Sequence, residues 1–203
     1  MEIVFKFIEG EVSYNEFKNN LLKNDDIFDW LQSLLNDKML NDSEFYCCSL
    51  LRRKRHSVKI CVMDYLGEQI GDMYDVHSFI SKYVQYVFSN QQLNITTYYK
   101  EMYNIHLCAV SDSYGGEEVD KLISDFILNI PKDFSNTKKI KIIKEKMKEL
   151  FPGKRPCWVQ EAEWPAFNGK PMLYIRRERD GDLFKYIFED QETGTKRIVE
   201  QFA

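Results

Sequence analysis

The stretch that most constrains this chain is its last one, residues 158–203, WVQEAEWPAFNGKPMLYIRRERDGDLFKYIFEDQETGTKRIVEQFA. Three runs in it have strand composition: 172–178, 183–190 and 196–202, rich in Ile, Val, Tyr and Phe. Asp180-Gly181 separates the first two and Thr193-Gly194 the second and third. Asp-Gly supplies the positive φ of a tight hairpin, so two short loops and three runs spell an antiparallel meander. The two-residue period puts Phe184, Tyr186 and Phe188 on one face of the middle strand and Leu183, Lys185 and Ile187 on the other. Ile198 and Phe202 are expected to extend the aromatic face. A face this aromatic has to be covered, so the sheet should pack on helices that precede it.

Trp158 and Trp164 flank a strap containing Pro156, Pro165, Gly169 and Pro171. Proline fixes φ and removes a donor, which makes the strap ordered but irregular. The two indoles read as packing anchors, with a ligand platform as the alternative. Glu161 and Glu163 share a face if the strap is extended, and read as solvated charges.

Before the strap the periodicity is mostly helical. Residues 2–9 suit a short apolar helix. Ser13-x-x-Glu16 is a capping-box pattern opening a helix with Tyr14, Phe17, Leu21 and Leu22 on one stripe. Ile27, Trp30, Leu31 and Leu34 follow at helical spacing after the cap candidates Asn24, Asp25 and Asp26. Residues 37–71 are the least regular. Residues 44–51 fit helix or strand, and the alternation of Val58, Ile60 and Val62 suits a strand. Between them, Arg52-Arg53-Lys54-Arg55-His56 reads as a solvated turn or a set of salt-bridge partners, with phosphate binding as the alternative. Val76, Phe79, Ile80, Tyr83 and Val87 make a stripe capped by Asp75, and Ile95 to His106 another, with His106 as a hydrogen-bonded core histidine. Val119, Leu122, Ile123, Phe126, Ile127 and Ile130 form the clearest stripe, ended by Pro131. A lysine-rich amphipathic helix over about 138–150 completes the helical part. The reading is an α+β protein: a helical region over 1–152, then a strap and three-stranded antiparallel β-meander over 153–203, as one compact unit.

Composition sets the class. At 44% hydrophobic and 30% charged the chain has a soluble globular make-up. The opening MEIVFKFIEGE has no basic start and no long apolar stretch, so no secretory signal is expected. The five cysteines, Cys47, Cys48, Cys61, Cys108 and Cys157, are odd in number and lack a C-x-x-C, which points to reduced thiols in a cytoplasm. His56, His77 and His106 show no metal spacing, and no metal or cofactor is expected. A phosphate loop, a dinucleotide fingerprint, G-x-S-x-G and H-E-x-x-H are all missing, and the expectation is a protein that is not an enzyme.

The net charge of −4 is unevenly spread. Residues 1–50 carry four Lys or Arg against ten Asp or Glu, and 60–135 four against eleven, while 136–156 carry eight against two. An acidic field speeds encounter with a basic partner and repels nucleic acid. The candidate partner surface is the cluster Asp112, Glu117, Glu118 and Asp120, on a loop entering the helix with the clearest stripe.

Two parts of the chain resemble a known family. PCWVQEAEWP, NGKPM and TGTKRIVEQF at one end, with FIEGEVSYNEF and DIFDWLQSLL at the other, are similar to small cytosolic immunity proteins of bacterial polymorphic-toxin (contact-dependent inhibition) systems. The middle of the chain does not share the likeness. The resemblance implies a protein that neutralises a cognate toxin by stoichiometric masking of its active site. The acidic helices would then face a basic toxin, for instance a nuclease. It carries over no functional residue, because such surfaces are specific to each toxin. The alternatives are a non-enzymatic interaction scaffold, or a nucleic-acid binder using Arg52 to Arg55 and the lysine helix.

Overall fold

A computed structural model describes residues 1–203. The protein is α+β, ten helices followed by a C-terminal three-stranded antiparallel sheet. The chain divides into two compact units, Met1–Tyr103 and Asn104–Ala203. The division falls within a helix.

The first unit holds α1 (Glu2–Glu9), α2 (Tyr14–Lys23), α3 (Asp26–Ser33), α4 (Asp37–Asn41), α5 (Cys48–Arg53), α6 (Val58–Met63) and α7 (Ile70–Val87). Helix α8 (Tyr98–Ala109) begins in it. Ser13 caps α2, its Oγ accepting from the Glu16 N–H at 3.2 Å. The core is built on α7, whose Val76, Ile80, Tyr83 and Val84 are fully buried. Phe7 of α1 stacks on Phe17 of α2 at 4.0 Å and meets the His77 ring edge-on at 5.3 Å. His77 donates from Nε2 to the Ile8 carbonyl, 3.2 Å, which spends its one N–H on the open end of α1. Tyr83 and Tyr14 are buried with their hydroxyls donated to Leu31 O and Gly67 O, 2.7 and 2.8 Å.

Three expectations fail in this unit, the first being Leu22, which is 56% exposed and lies off the buried stripe of α2. Residues 58–63 are helix α6, not a strand. Ser57 Oγ caps it at the Ile60 N–H, and Val58, Cys61 and Val62 are buried while Ile60 and Met63 are exposed. That is the helical period, which a six-residue run of apolar residues imitates in either phase. Asp75 does not cap α7, which starts a turn and a half earlier. Asp72 accepts from the Gln69 N–H at 3.1 Å there. A side chain at Gly67 would meet the Asp72 carboxylate, so a larger residue there would have to displace this cap.

The basic run closes α5. Arg55 and His56 are in the left-handed region, φ 53° and 64°, and the His56 N–H reaches back to Leu51 O at 2.6 Å. Gln32 of α3 clamps the turn, donating to His56 O and accepting from the Val58 N–H. Lys54 pairs with Asp64. The run therefore terminates a helix, where cations complement the carbonyl end.

The second unit holds α9 (Glu117–Leu128), α10 (Asn136–Leu150), a small hairpin β1 (Ala166–Phe167) and β2 (Lys170–Pro171), and the sheet β3 (Leu173–Asp180), β4 (Leu183–Glu189) and β5 (Lys196–Phe202). The sheet order is β3-β4-β5, all antiparallel, with a bulge in β3 between Tyr174 and Arg176. Gly181 and Gly194 sit at positive φ in the two turns. Phe184, Tyr186 and Phe188 are buried as the alternation requires. Trp164 packs its ring against Phe188 at 5.5 Å and against Phe151 at 4.8 Å, and Phe151 stacks on Tyr114 at 4.2 Å. The strap is thus the layer between the sheet and the ends of the helices.

Ile198 and Phe202 do not extend this aromatic face. They pair with Ile187 and Leu183, on the opposite face, and are 57% and 61% exposed. Counting apolar residues placed them, but antiparallel register decides the face, and Arg197, Val199 and Gln201 are the residues opposite Phe188, Tyr186 and Phe184. In α10, Lys139 also departs from the expected outward lysine face. It is 7% exposed and donates from Nζ to Lys132 O, 3.1 Å.

Candidate partner-binding surface

The predicted acidic cluster lies in the second unit, where the chain turns from α8 into α9. The turn is fixed from the strap side. Trp158 donates from Nε1 to Ser113 O at 3.1 Å, and the Trp164 N–H donates to Gly115 O. Gly115 and Gly116 are pressed on the strap. A Cβ at Gly115 would lie 2.8 Å from Ala162 O, and one at Gly116, φ +129°, 2.7 Å from Trp164 O. Two adjacent glycines are what lets this backbone approach the strap so closely.

The strap is itself pinned by one side chain from the sheet. Gln201 is 1% exposed. Its Oε1 accepts from the N–H groups of Val159 and Gln160, at 3.2 and 3.1 Å, and its Nε2 donates to Glu161 O at 2.7 Å. Gln160 returns a bond from Nε2 to Phe202 O at 3.0 Å. A carboxamide, with one acceptor and one donor end, meets both kinds of backbone group here.

Turn and strap together enclose an open groove of about 540 Å³ lined by Asp112, Ser113, Gly115, Gly116, Asp120, Trp158, Gln160 and Glu161 among others. Of the four predicted residues, Asp112 and Asp120 line the groove, while Glu117 and Glu118 are exposed on the first turn of α9. Asp112 is exposed as well. Asp120 is half-buried, and its Oδ2 accepts from the Gly116 N–H at 3.1 Å, so it holds the helix entry. Behind these carboxylates Val119, Ile123 and Ile127 are fully buried, which gives the charges a rigid base. Glu117, Glu118 and Asp120 also complement the amino end of α9.

His106 is half-buried, and burial lowers its pKa below the ordinary value, opposed by the nearby Asp112 charge. Its Nδ1 has no protein hydrogen-bond partner, so the expectation of a hydrogen-bonded core histidine fails at that nitrogen. In the sequence Gln160 and Gln201 belong to no motif, and Glu161 has the look of a solvated charge. The available signal was the Gly-Gly pair, which marks a backbone in close contact with something bulky; the two tryptophans were the bulky residues at hand.

All five cysteines are free, Cys47, Cys48 and Cys61 buried and Cys108 and Cys157 exposed. Burial pushes the Cys47 thiol up to about 12. No three His, Cys, Asp or Glu side chains are arranged to hold a metal ion, and no helix is long and apolar enough to cross a membrane. No family model, curated protein or solved structure matches the chain.

Proposed function

We propose that this protein is an immunity protein that binds a basic toxin and masks its active site, with the carboxylates at the α9 entry as the contact surface. The observation that carries the reading is the way these charges are presented. Asp112, Glu117 and Glu118 are exposed on a junction whose backbone is tied to the strap at Ser113 and Gly115 and whose helix is anchored by buried Val119, Ile123 and Ile127. A rigid anionic edge loses little entropy on binding, and exposed charges of one sign steer a cationic partner to it. Asp112 and Glu161 at the groove can accept hydrogen bonds from an arginine or lysine of that partner, charge-assisted and therefore strong for their size.

The test is co-expression with the product of the adjacent gene, followed by co-purification and association kinetics. A stable complex is expected. Glu117→Lys with Glu118→Lys should slow association and flatten its salt dependence while the fold persists, because rim charges act mainly on the on-rate. No complex with the neighbouring product, in a strain whose survival against that product depends on this protein, would refute masking. A complex with unchanged on-rate and salt slope would move the interface elsewhere.

A further inference from the structure

We propose that a second copy of this chain pairs along the open edge of β5, joining two sheets into one six-stranded sheet about a two-fold axis through Ile198.

Ala203 donates its N–H to Asp182 O, and Thr195 O accepts from the Asp190 N–H. Odd-numbered residues of this strand therefore turn their backbone groups toward β4, and Lys196, Ile198 and Glu200 turn theirs to the open edge. The side chains of these three are exposed, Ile198 at 57%. The next outward carbonyl, that of Phe202, is taken by Gln160.

The charges then select the register. A two-fold centred on Ile198 sets Lys196 of each copy opposite Glu200 of the other, with Ile198 facing Ile198. All three facing pairs exchange both backbone bonds. Within one sheet Lys196 already pairs with Glu189 at 3.6 Å, and Glu200 with Lys185 at 3.4 Å. Glu178 stands opposite Lys185 on β3. Across the dimer these rows become strictly alternating: Glu178, Lys185 and Glu200 of one copy, then Lys196 and Glu189 of the other. Between two such rows runs an apolar one, Ile187 and Ile198 meeting Ile198 and Ile187. Centring on Val199 would set Ile198 against Glu200 and require the carbonyl that Gln160 holds. Centring on Arg197 would set arginine on arginine.

The other edge is built to refuse this contact. β3 carries the bulge after Tyr174 and the exposed run Arg176, Arg177, Glu178, Arg179, Asp180. Bulges and charged side chains are the common protections of a strand edge. β5 is regular and its charges match their own image.

A strand-edge contact is small, so association is expected to be weak and is best measured by sedimentation equilibrium up to about 0.5 mM. The wild-type chain should approach twice its 24.2 kDa mass as concentration rises. Lys196→Glu alone and Glu200→Lys alone each set like charges opposite one another twice, and should weaken the dimer about tenfold or more. An equimolar mixture of the two variants should restore association, because each then faces its opposite charge. Hydrogen exchange supplies a readout on the unmodified chain. The amides of Lys196, Ile198 and Glu200 should gain protection with concentration, while those of Arg197 and Val199 are protected throughout by β4. A chain that stays at monomer mass and shows no concentration-dependent protection overturns the proposal, as does a dimer indifferent to Glu200→Lys.

Discussion

Replacing Gln201 by alanine is the sharpest probe of how the second unit holds its strap. The substitution removes three hydrogen bonds at once, those to the Val159 and Gln160 N–H groups and to Glu161 O. Each such bond contributes about 0.5–1.5 kcal/mol net, so the three together come to roughly 2–4 kcal/mol. Val159, Gln160 and Glu161 are exposed, so water can replace part of what is lost, which places the expected cost near the lower end, about 2 kcal/mol. Trp158 and Trp164 report on this unit, and a Trp30→Phe background removes the signal of the first. Urea unfolding followed by fluorescence then reads the unit that matters, without requiring the whole chain to unfold in one step. Hydrogen exchange gives a second, local reading. The Val159 and Gln160 amides donate to no backbone carbonyl, so their protection rests on the Gln201 side chain and should vanish with it. Gln201→Glu separates the two ends of the group. The acceptor bonds survive, but at neutral pH a carboxylate oxygen is left facing Glu161 O. A stability change under about 0.5 kcal/mol with both amides still protected would refute the pinning argument.

Two further outcomes are expected. Phe188→Ala, at a fully buried position, should cost about 3–5 kcal/mol, whereas Phe202→Ala, 61% exposed, should stay within about 0.5 kcal/mol; the reverse order by urea unfolding would overturn the face assignment. Burial lowers the His77 pKa, so the folded chain holds that ring neutral while the unfolded chain protonates it near its ordinary value of 6.5. Stability is then complete above that pH and declines as pH falls through it, with a slope of at most about 1.4 kcal/mol per pH unit from this group. His77→Gln should flatten that part of the profile, and an unchanged acid limb would show that the ring takes up its proton in the fold as readily as in the unfolded chain.

Much of the fold was legible because its signals were local. The strand runs, the Asp180-Gly181 and Thr193-Gly194 turns, the Ser13 cap and the stripe of α9 each depend on residues a few positions apart, and each stands where the pattern put it. What failed was either too short or too distant. A six-residue run such as Val58–Met63 fits both periods, and only its neighbours select one. The side of the sheet to which Ile198 and Phe202 belong depends on the length and form of the turn at 190–195, where Asp190 accepts from the Thr193 N–H and hydroxyl and donates its own N–H to Thr195 O. The Gln201 bonds join residues about forty positions apart, and nothing in local composition distinguishes this glutamine from an exposed one.

The same distinction runs through the candidate surface. Four carboxylates near one another in sequence read as a single acidic patch, but the backbone divides their work. Asp120 reaches back to the Gly116 N–H and so belongs to the architecture of the helix entry. Glu117 and Glu118 point out from the first turn, where the unpaired N–H groups behind them already favour negative charge. Asp112 stands ahead of the helix, on the groove rim, exposed and on a loop whose shape is set by Trp158 and the two glycines. Charge at Asp120 therefore stabilises the fold in the absence of any partner, while charge at Asp112, Glu117 and Glu118 is available to one. A partner that recognises this edge needs cations spaced to meet the rim and the first helical turn together, and the stiffness of the junction makes that spacing a geometric requirement, which a net charge alone would not satisfy.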